Sequence, residues 1–484
     1  MFNTLVKTKF HPPTVFAAGA VFATLLLGHI ERAEAATVAV TNCNDSGPGS
    51  LRHAVFIAQS GDVIDMRSLT CDRIVFTRAI RIDQNGLTLV GPSASALALD
   101  GNHAGRLFFQ PGAGTLSLRS LSLRNGRYAA PWARGGCLST AGNIELRDAW
   151  VHHCVALVVN TPYATRTEAD GGGLYALGSV SLLRSRVFAN QATSALPEFS
   201  GAGGGIFAQG DVSLMQSDVY DNAVSTGGYL RGNVGGVSTY GRLTLFRSSI
   251  RRNRADHGGG AFTVKGLKAT YSSISDNVAR YIGGVESWGD FELYHSTVSG
   301  NRADSVGGVW VTLYSATHKV VIEDSTISNN VAQEISAGYF DPWVVMNNST
   351  IAFNQENPVA GLGCKAAVFI ETGGTFQSSI VAANSCSAGS EYDISNGFYE
   401  GQIILGANNI IGGSVLSLPA DTLNVDPLLA PLGDNGGLTL THALLSDSPA
   451  IDRGNNAAGL GYDQRGIGFP RVKGARSDIG AFER

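Results

Sequence analysis

The chain has 484 residues, of which 44% are hydrophobic and 61 are glycine, against 15 prolines. A chain of this length can bury a large core, and so many glycines indicate frequent tight turns. The formal net charge is −4, so no basic surface for nucleic-acid binding is implied.

Residues 1–35 have the pattern of a secretory signal peptide. An apolar run from Val15 to Leu27 follows a lysine-containing start, and Ala33-Glu34-Ala35 precedes Ala36. The run is shorter than the roughly 18 apolar residues that a membrane-spanning helix needs. We therefore predict cleavage near Ala35, export of the mature chain, and no membrane span after the signal is removed. The protein is expected to be secreted, extracellular or associated with the cell surface.

Residues 36–125 are predicted to form an N-terminal cap and the first coils. Ser50 is a suitable N-cap residue, and residues 51–59 place apolar side chains on one face of a short helix. Short alternating segments separated by Gly and Asn follow from residue 62, a pattern typical of short strands. The helix is predicted to cover the exposed backbone of the first coil.

Residues 126–390 carry a repeat whose shortest form is 24 residues, the spacing of Asn253, Asn277 and Asn301. A unit this short cannot enclose a core, so it must stack on its neighbours. Stacked asparagine amides can bond to one another along the stack and to the turn backbone. We therefore predict an all-β protein, a right-handed parallel β-helix, with a structural asparagine ladder at Asn190, Asn222, Asn253, Asn277, Asn301, Asn330 and Asn354.

Side chains after each glycine pair are predicted to alternate between an inward and an outward column. The inward column is mostly small or aliphatic, at Cys137, Leu174, Ile206, Val237, Ala261, Val285, Val309, Tyr339 and Cys364. Aromatic rings in register on a solvent face can stack on sugars. The predicted carbohydrate platform, on the outward column and two positions beyond it, is Tyr175, Phe207, Tyr240, Phe262, Trp288, Trp310 and Phe340. Packing alone also favours aromatic residues on strands, which is the alternative interpretation.

Six cysteines lie in the predicted mature chain, and an exported protein is expected to oxidise them. Fifteen pairings are possible, and the clustering in sequence favours Cys43–Cys71, Cys137–Cys154 and Cys364–Cys386. Cys154 stands three residues after Val151, the place of an asparagine in later coils, so its bridge is predicted to replace one rung. No CxxC spacing or Cys/His quartet supports zinc, so neither a metal nor a cofactor is predicted.

Residues 391–484 are predicted to form the final coils and a C-terminal cap, because the repeat weakens after Cys386. Here the chain resembles a known group. The stretches that carry the resemblance are NDSGPGSLRHA at 44–54, DPLLAPLGDNGGLTLTHALLSDSPAID from Asp426, and the later DQRG and DIGAFE. They resemble secreted bacterial β-helix proteins of the pectin-lyase-like fold, of the choice-of-anchor Q type. GGAF at 259–262 and IAFN at 351–354 are similar to repeats of chlamydial polymorphic outer-membrane proteins. These resemblances imply an extracellular or surface-associated protein and name no reaction.

Catalytic residues cannot be assigned from the sequence. DAWVHHCVAL at 148–157 resembles the WIDHC stretch of pectate lyases, but His152 stands where those have an acidic residue. Asp276, Asp290 and Glu292 are scattered over different columns, which does not suit the paired carboxylates of a hydrolase. Adjacent strand residues face opposite sides, so His152 and His153 are not expected to share a metal ion.

Three functions remain open. The favoured hypothesis is a non-catalytic secreted or surface protein that binds a polysaccharide or cell-surface glycan along the aromatic face. The second is a polysaccharide lyase or glycoside hydrolase whose acidic site is assembled from the longer loops. The third is a structural shaft or adhesin with protein partners.

Overall fold

The computed structural model describes residues 35–159, 167–194, 200–225, 233–312, 318–359, 363–389, 392–397 and 401–484. The predicted signal peptide therefore lies outside the described residues, apart from Ala35. Within them the chain forms one helix, Leu51–Ile57, and many short strands. All strand ladders between these strands are parallel, as stacked coils require.

Three long sheets run the length of the stack. Sheet A comprises Thr37–Ala39, Val63–Asp65, Leu87–Val90, Thr115–Arg119, Asn143–Arg147, Val180–Leu183, Val212–Met215, Leu243–Phe246, Gly266–Thr270, Asp290–Tyr294, Val320–Glu323, Val344–Asn347, Gly374–Gln377 and Ile404–Ala407. Sheet B comprises Arg73–Val75, Ala98–Asp100, Ser122–Arg124, Trp150–His152, Arg186–Phe188, Asp218–Tyr220, Ser249–Arg251, Ser273–Ser275, Thr297–Ser299, Thr326–Ser328, Thr350–Ala352, Ile380–Val381 and Ile410–Ile411. Sheet C comprises Ile80–Arg81, Phe108–Gln110, Leu138–Thr140, Leu174–Ala176, Ile206–Ala208, Val237–Thr239, Ala261–Thr263, Val285–Ser287, Val309–Val311, Gly338–Phe340, Val368–Ile370 and Ile394–Ser395.

Each regular coil passes through sheets C, A and B in that order and returns to C one layer further along. Parallel strands connected in this way form a right-handed crossover. The predicted right-handed parallel β-helix is therefore confirmed. Its core is one continuous column of aliphatic side chains, for example Ile206, Leu214 and Val219 of one coil, all fully buried.

The asparagine ladder lies inside the turn that follows sheet B. The Asn277 side chain donates from Nδ2 to Asn301 Oδ1 (2.9 Å) and to the Ile250 carbonyl (3.0 Å). Its Oδ1 accepts from the backbone N–H of Asn253 (3.0 Å), and this pattern repeats from Asn190 to Asn354. Cys154 stands in the same row, because its N–H donates to Asn190 Oδ1 (3.0 Å). Each rung thus satisfies buried backbone groups of the neighbouring coil.

Additional short strands lie between the asparagine turn and sheet C. One small sheet contains Arg127–Ala130, Val155–Val158, Gln191–Ser194 and Ala223–Ser225. A second, here called the side sheet, contains Trp132–Arg134, Glu168–Asp170 and Ser200–Ala202. A third, further along, contains Val331–Ala332, Gln355–Glu356 and Ser385–Cys386. These strands therefore extend the wall of the helix beside sheet C.

Both ends of the described chain pack on the coils. The helix Leu51–Ile57 starts at Ser50, whose Oγ accepts from the His53 N–H, and it ends two residues earlier than predicted. Its buried side chains join the core at the first coil. After the last parallel bridge, at Leu423, the segment 426–484 returns along the outer face of sheet B. It reaches back to His295, whose Nδ1 lies 3.0 Å from the Asp463 carbonyl oxygen, and to Tyr271, whose ring lies beside Gly466.

The structure pairs the six cysteines as Cys43–Cys71, Cys137–Cys154 and Cys364–Cys386. The first links the chain before the helix to the loop before sheet B. The second joins the start of a sheet C strand to the asparagine turn. These bridges tie neighbouring segments of the stack together.

Candidate functional site

A cleft of about 520 Å³ lies where the side sheet stands beside the outer face of sheet C. Its charged lining comes from the side sheet, and its aromatic lining comes from sheet C. The lining residues are Arg134, Glu168, Asp170, Tyr175, Gly201, Ala202, Phe207, Gln209, Ser238, Tyr240 and Phe262. The size and the mixture of rings with hydrogen-bonding groups are typical of a small-ligand site.

The strand register gives the true outward column of sheet C. Paired neighbours on this face are Ser139, Tyr175, Phe207, Ser238, Phe262, Glu286, Trp310, Tyr339 and Phe369. Phe340, predicted to belong to the platform, instead points inward and is fully buried in the core. The prediction was wrong because Ser336 and Ala337 replace the usual glycine pair, so Gly338 aligns with Val309. A shift of one residue moves every side chain to the other face of the strand.

The predicted rings differ greatly in exposure. Tyr175, Phe207 and Phe262 are only 4%, 6% and 7% exposed, whereas Tyr240 is 53% exposed. Tyr175 and Phe207 stack on each other, with ring centroids 5.1 Å apart and planes 8° apart, so part of each ring face is occupied. Tyr240 meets Phe207 edge to face at 6.0 Å. Tyr240 is therefore the ring of this cleft with the most surface available to a ligand.

Trp288 and Trp310 lie beyond the cleft. Glu286 separates them from it, because this nearly buried carboxylate accepts from Trp288 Nε1 (2.8 Å) and lies 2.9 Å from His257 Nε2. Trp288 also packs edge to face against Phe262, while Trp310 packs against Tyr339. The seven predicted residues thus do not form one platform: four line the cleft, two lie further along, and Phe340 is in the core.

One arginine and two carboxylates form the polar wall of the cleft. Arg134 Nη2 lies 3.6 Å from Glu168 Oε2, and Arg134 Nε lies 3.9 Å from Asp170 Oδ2. The guanidinium also stands 5.2 Å from the Tyr175 ring centre, within the range of a cation–π contact. Glu168 and Asp170 are two positions apart on one strand, so both face Arg134.

Asp170 is the acid whose titration the cleft changes most. Its burial raises the pKa of Asp170 to about 7, and the negative charge of Glu168 adds to the increase. Arg134 and the backbone N–H of Ala202 oppose the rise in this pKa without cancelling it. Asp170 therefore keeps a proton close to neutral pH, which an ordinary aspartate does not.

Asp170→Asn is expected to remove part of the pH dependence of stability. The raised pKa means that the folded chain retains this proton from about pH 4 to pH 7, whereas the unfolded chain releases it. Stability therefore falls as pH rises through this interval, by an amount on the order of a few kcal/mol. Urea unfolding at pH 5 and pH 8 should show a larger gain in stability of the variant over the native chain at pH 8 than at pH 5.

The exposed Asp83 provides the matched control, because Asp83→Asn makes the same chemical change outside the cleft. It is expected to leave the difference between the two pH values as in the native chain. An Asp170→Asn chain whose stability changes with pH as much as that of the native chain would contradict the assignment.

Four residues that line the cleft were not predicted from the sequence: Arg134, Glu168, Asp170 and Gln209. Arg134 and Asp170 each stand immediately before a glycine pair, at Gly135 and Gly171. Their strands pair in register, so Arg134 lies beside Asp170 although 36 residues separate them. Aligning the residues before each glycine pair, as well as those after it, is the signal that would have brought them together.

The residues considered for catalysis lie outside the cleft. His152 and His153 do approach each other, with Nδ1 atoms 2.7 Å apart, because His153 adopts a left-handed turn conformation (φ 56°). His153 thus lies in an exposed turn that follows the strand. Asp290 and Glu292 share one strand, where Asp290 pairs with Arg242 (3.1 Å) and Glu292 lies near Lys268 (3.7 Å) and Lys319 (3.5 Å). The carboxylates of this second cluster are thus matched by cations.

Metal ligation has one geometric candidate among the described residues, the group Glu356, Cys364 and Cys386. Both sulfur atoms are joined in a disulfide, so they cannot act as thiolate ligands. The absence of a metal and of a cofactor stays a prediction. None of the helices in the described parts of the chain has the length and apolarity to cross a bilayer.

Comparisons with known proteins add little to this picture. No protein-family model matches the chain, and no curated protein matches it. Among solved structures, the pectate lyase Pel9A is similar, with 12% sequence identity, a TM-score of 0.33, and coverage of 93% of this chain and 98% of that one. At these values the similarity carries no information on activity, so the fold assignment depends on the strand pairing of this chain.

Proposed function

We propose that this chain is a secreted or cell-surface β-helix protein that binds a carbohydrate in the cleft without altering it chemically. The observation that carries the proposal is the exposed ring of Tyr240 opposite a wall of hydrogen-bonding groups. A ring with one apolar face and several nearby polar groups suits a sugar, which combines apolar C–H faces with hydroxyl groups.

The polar groups of the cleft complement sugar hydroxyls in both directions. Glu168 accepts hydrogen bonds, Arg134 donates them, and Gln209 and Ser238 can do both. Arg134 Nε is buried without a hydrogen-bond partner among the described residues. A ligand hydroxyl could accept this unused N–H, which would offset the cost of its burial.

Export is part of the proposal. The predicted signal peptide and the three disulfides support an oxidising location outside the cytoplasm. The terminal motifs that resemble choice-of-anchor Q proteins support association with a cell surface.

Tyr240→Ala is expected to lower the affinity for the bound polysaccharide about tenfold, because the ring supplies the main apolar contact, worth about 1.4 kcal/mol. The measurement is retention of the mature protein on a panel of immobilised neutral and acidic polysaccharides, followed by titration with the one that binds. Phe56→Ala is the matched control, since Phe56 is a more exposed ring on the N-terminal helix, distant in the fold.

Equal loss in the Phe56→Ala and Tyr240→Ala chains would contradict the cleft as the binding site. Failure of the native protein to bind any polysaccharide in the panel would contradict the carbohydrate proposal and favour the structural shaft or adhesin.

A second candidate is a glycoside hydrolase, favoured by the Asp170 pKa of about 7 beside Glu168. Protonated Asp170 would give its proton to the glycosidic oxygen as the bond to the anomeric carbon breaks. A water molecule would add to that carbon and pass a proton to Glu168, which leaves the total charge unchanged. Incubating the polysaccharides with the mature protein and measuring chain length distinguishes the two: shortening that Asp170→Asn abolishes supports the hydrolase, and unchanged chains support the binder.

A further inference from the structure

The three disulfides differ in their exposure to solvent. Cys137 and Cys154 are fully buried, so a reductant in solution does not reach their bond while the coil is folded. The other two disulfides have partly exposed cysteines at both ends. Exchange with a thiol requires that the incoming thiolate reach a sulfur atom, so these two bonds are the ones able to take part in it.

The surroundings of Cys364–Cys386 distinguish it from Cys43–Cys71. A carboxylate oxygen of Glu356 lies within 4.8 Å of both sulfur atoms of Cys364–Cys386. In the described parts of the chain this is the one place where a carboxylate or imidazole stands so close to two cysteine sulfurs. Cys43–Cys71 therefore offers a comparison within the same molecule, because it is also partly exposed but lacks such an acid.

The strand pairing explains why Glu356 lies beside this bond. Glu356 and Cys386 are paired neighbours on adjacent parallel strands, so their side chains leave the same face. Glu356 is 2% exposed, and its Oε2 accepts from the backbone N–H of Lys365 (2.9 Å), the residue after Cys364. The fold therefore holds this carboxyl against both ends of the disulfide.

A cavity of about 150 Å³ leads to the disulfide from solvent. Its lining residues are Glu356, Ala367, Asn384, Ser385, Cys386, Tyr392, Asp393 and Gly412. Ser385 and Tyr392 are exposed, so the cavity is open at this side. Of the two cysteines, Cys386 is the one in the lining. A thiolate that enters the cavity therefore meets Cys386 Sγ, and Cys364 Sγ is the sulfur that departs.

Glu356 retains a proton up to about neutral pH. Burial raises the pKa of Glu356 to about 7, the negative charge of Asp393 adds to the increase, and nearby backbone N–H groups oppose it. The charged or titratable side chains described around this carboxyl are Asp393 and Tyr392 in the cavity lining, and Lys365, which pairs with Glu334 (3.0 Å). A neutral carboxyl can donate a proton, and it adds no negative charge that would repel a thiolate.

We propose that Cys364–Cys386 is a reactive disulfide that accepts two electrons from a dithiol reductant, with the Glu356 carboxyl as the proton donor to the departing sulfur. The proposal depends on the position of one buried acid beside both sulfurs and on the cavity that reaches Cys386. This site lies on coils beyond the cleft, so it goes beyond carbohydrate binding and does not depend on it.

The exchange consists of two displacements. A thiolate of the reductant attacks Cys386 Sγ, the S–S bond breaks, and its electron pair goes to Cys364 Sγ, which takes the Glu356 proton directly or through one water. The second thiolate of the reductant then attacks the sulfur bound to Cys386. Cys386 Sγ departs and takes a proton from Glu356, which water has protonated again. The reductant ends as a disulfide and this chain as a dithiol, with two electrons and two protons transferred.

The test measures how fast each disulfide of the mature protein is reduced by dithiothreitol at pH 7. The freed cysteines are alkylated, and mass spectrometry of their peptides identifies the bond that was broken. Cys364–Cys386 is expected to be reduced at least tenfold faster than Cys43–Cys71, because only the first has an acid beside the departing sulfur.

Two matched variants test the acid itself. Glu356→Gln keeps an oxygen that accepts from the Lys365 N–H but has no carboxyl proton, and it is expected to slow reduction of Cys364–Cys386 at least tenfold. Glu334→Gln makes the same chemical change at a carboxylate that pairs with Lys365 and is 48% exposed. This control is expected to change the rate less than twofold.

A pH series on the native chain provides a measurement that needs no variant. The ratio of the reduction rates of the two partly exposed disulfides is independent of how much dithiothreitol is ionised. This ratio is expected to fall several-fold as pH rises from about 6 to about 8, because Glu356 loses its proton in this interval. The ratio is expected to stay constant in the Glu356→Gln chain.

Three results would overturn the proposal: equal reduction rates of the two partly exposed disulfides, equal slowing in Glu356→Gln and Glu334→Gln, or a rate ratio in the native chain that does not change with pH. The buried bond Cys137–Cys154 reports the state of the fold in the same experiment. Its reduction in a variant would reveal disrupted coils, and the pH series on the native chain would then decide.

Discussion

Asn277→Ala is expected to lower the free energy of unfolding by about 3–5 kcal/mol, because one small side chain satisfies several buried groups at once. Asn277 is fully buried in the middle of the ladder. It donates to Asn301 Oδ1 and to the Ile250 carbonyl, and it accepts from both the backbone N–H and the Nδ2 of Asn253. Alanine leaves these partners buried without hydrogen bonds, in a space too small for the lost amide to be replaced by packing.

The measurement is urea unfolding followed by circular dichroism, with amide exchange to locate the loss. A stack of coils need not unfold as one unit, so protection is expected to fall first between Asn253 and Asn301. Asn424→Ala is the control, since Asn424 is exposed near the end of the stack, and it should change stability by less than about 0.5 kcal/mol. A change below about 1 kcal/mol for Asn277→Ala would show that the ladder contributes little.

Arg471→Met is expected to release the segment 426–484 from sheet B and to cost about 3–5 kcal/mol, the usual effect of breaking a buried ion pair. Arg471 is fully buried, with Nη1 3.0 Å from Asp324 Oδ1 and Nη2 3.0 Å from Glu483 Oε2. It also donates to the Gly480 carbonyl (2.9 Å). Methionine fills similar space but leaves Asp324 buried without its cation. Limited proteolysis and amide exchange at Thr297, Thr326 and Ser328 should report the release.

Two variants make this experiment decisive. Lys473→Met removes a cation two residues away whose side chain is exposed, and it is expected to have almost no effect. Asp324→Asn combined with Arg471→Met removes one of the two buried carboxylates that Arg471→Met leaves without a cation, and it is expected to recover part of the lost stability, because only Glu483 then remains unpaired. Failure of the double variant to recover any stability would mean that the ion pair does not account for the attachment.

The columns of the β-helix could be predicted from the sequence, because every coil repeats the same chemistry at the same place. The spacing of Asn253, Asn277 and Asn301 places these residues one above another, and the aliphatic residues between them then face the core. The same reasoning failed at Phe340, where a coil without a glycine pair shifts the register by one residue. The repeat predicts which side chains of a regular coil face the core. In an irregular coil this can be assigned only from the strand pairing in the structure.

The cleft could be predicted only in part. Its rings follow the glycine pairs and were found, but Arg134, Glu168 and Asp170 lie on short strands within the longer coils. The glycine pairs after Arg134 and Asp170 align these two residues, but the local sequence does not show that their strands stand beside the rings of sheet C. Their contact depends on the path of the whole coil.

The amino-acid sequence was sufficient to predict the right-handed parallel β-helix and its asparagine ladder. A 24-residue unit has no other way to bury its aliphatic column, and a buried asparagine must find partners in the next coil. The position of the side sheet and the path of segment 426–484 along sheet B could be obtained only from the folded chain. These features depend on contacts between residues far apart in sequence, such as Arg471 with Asp324, whose energy exists only once the stack has formed.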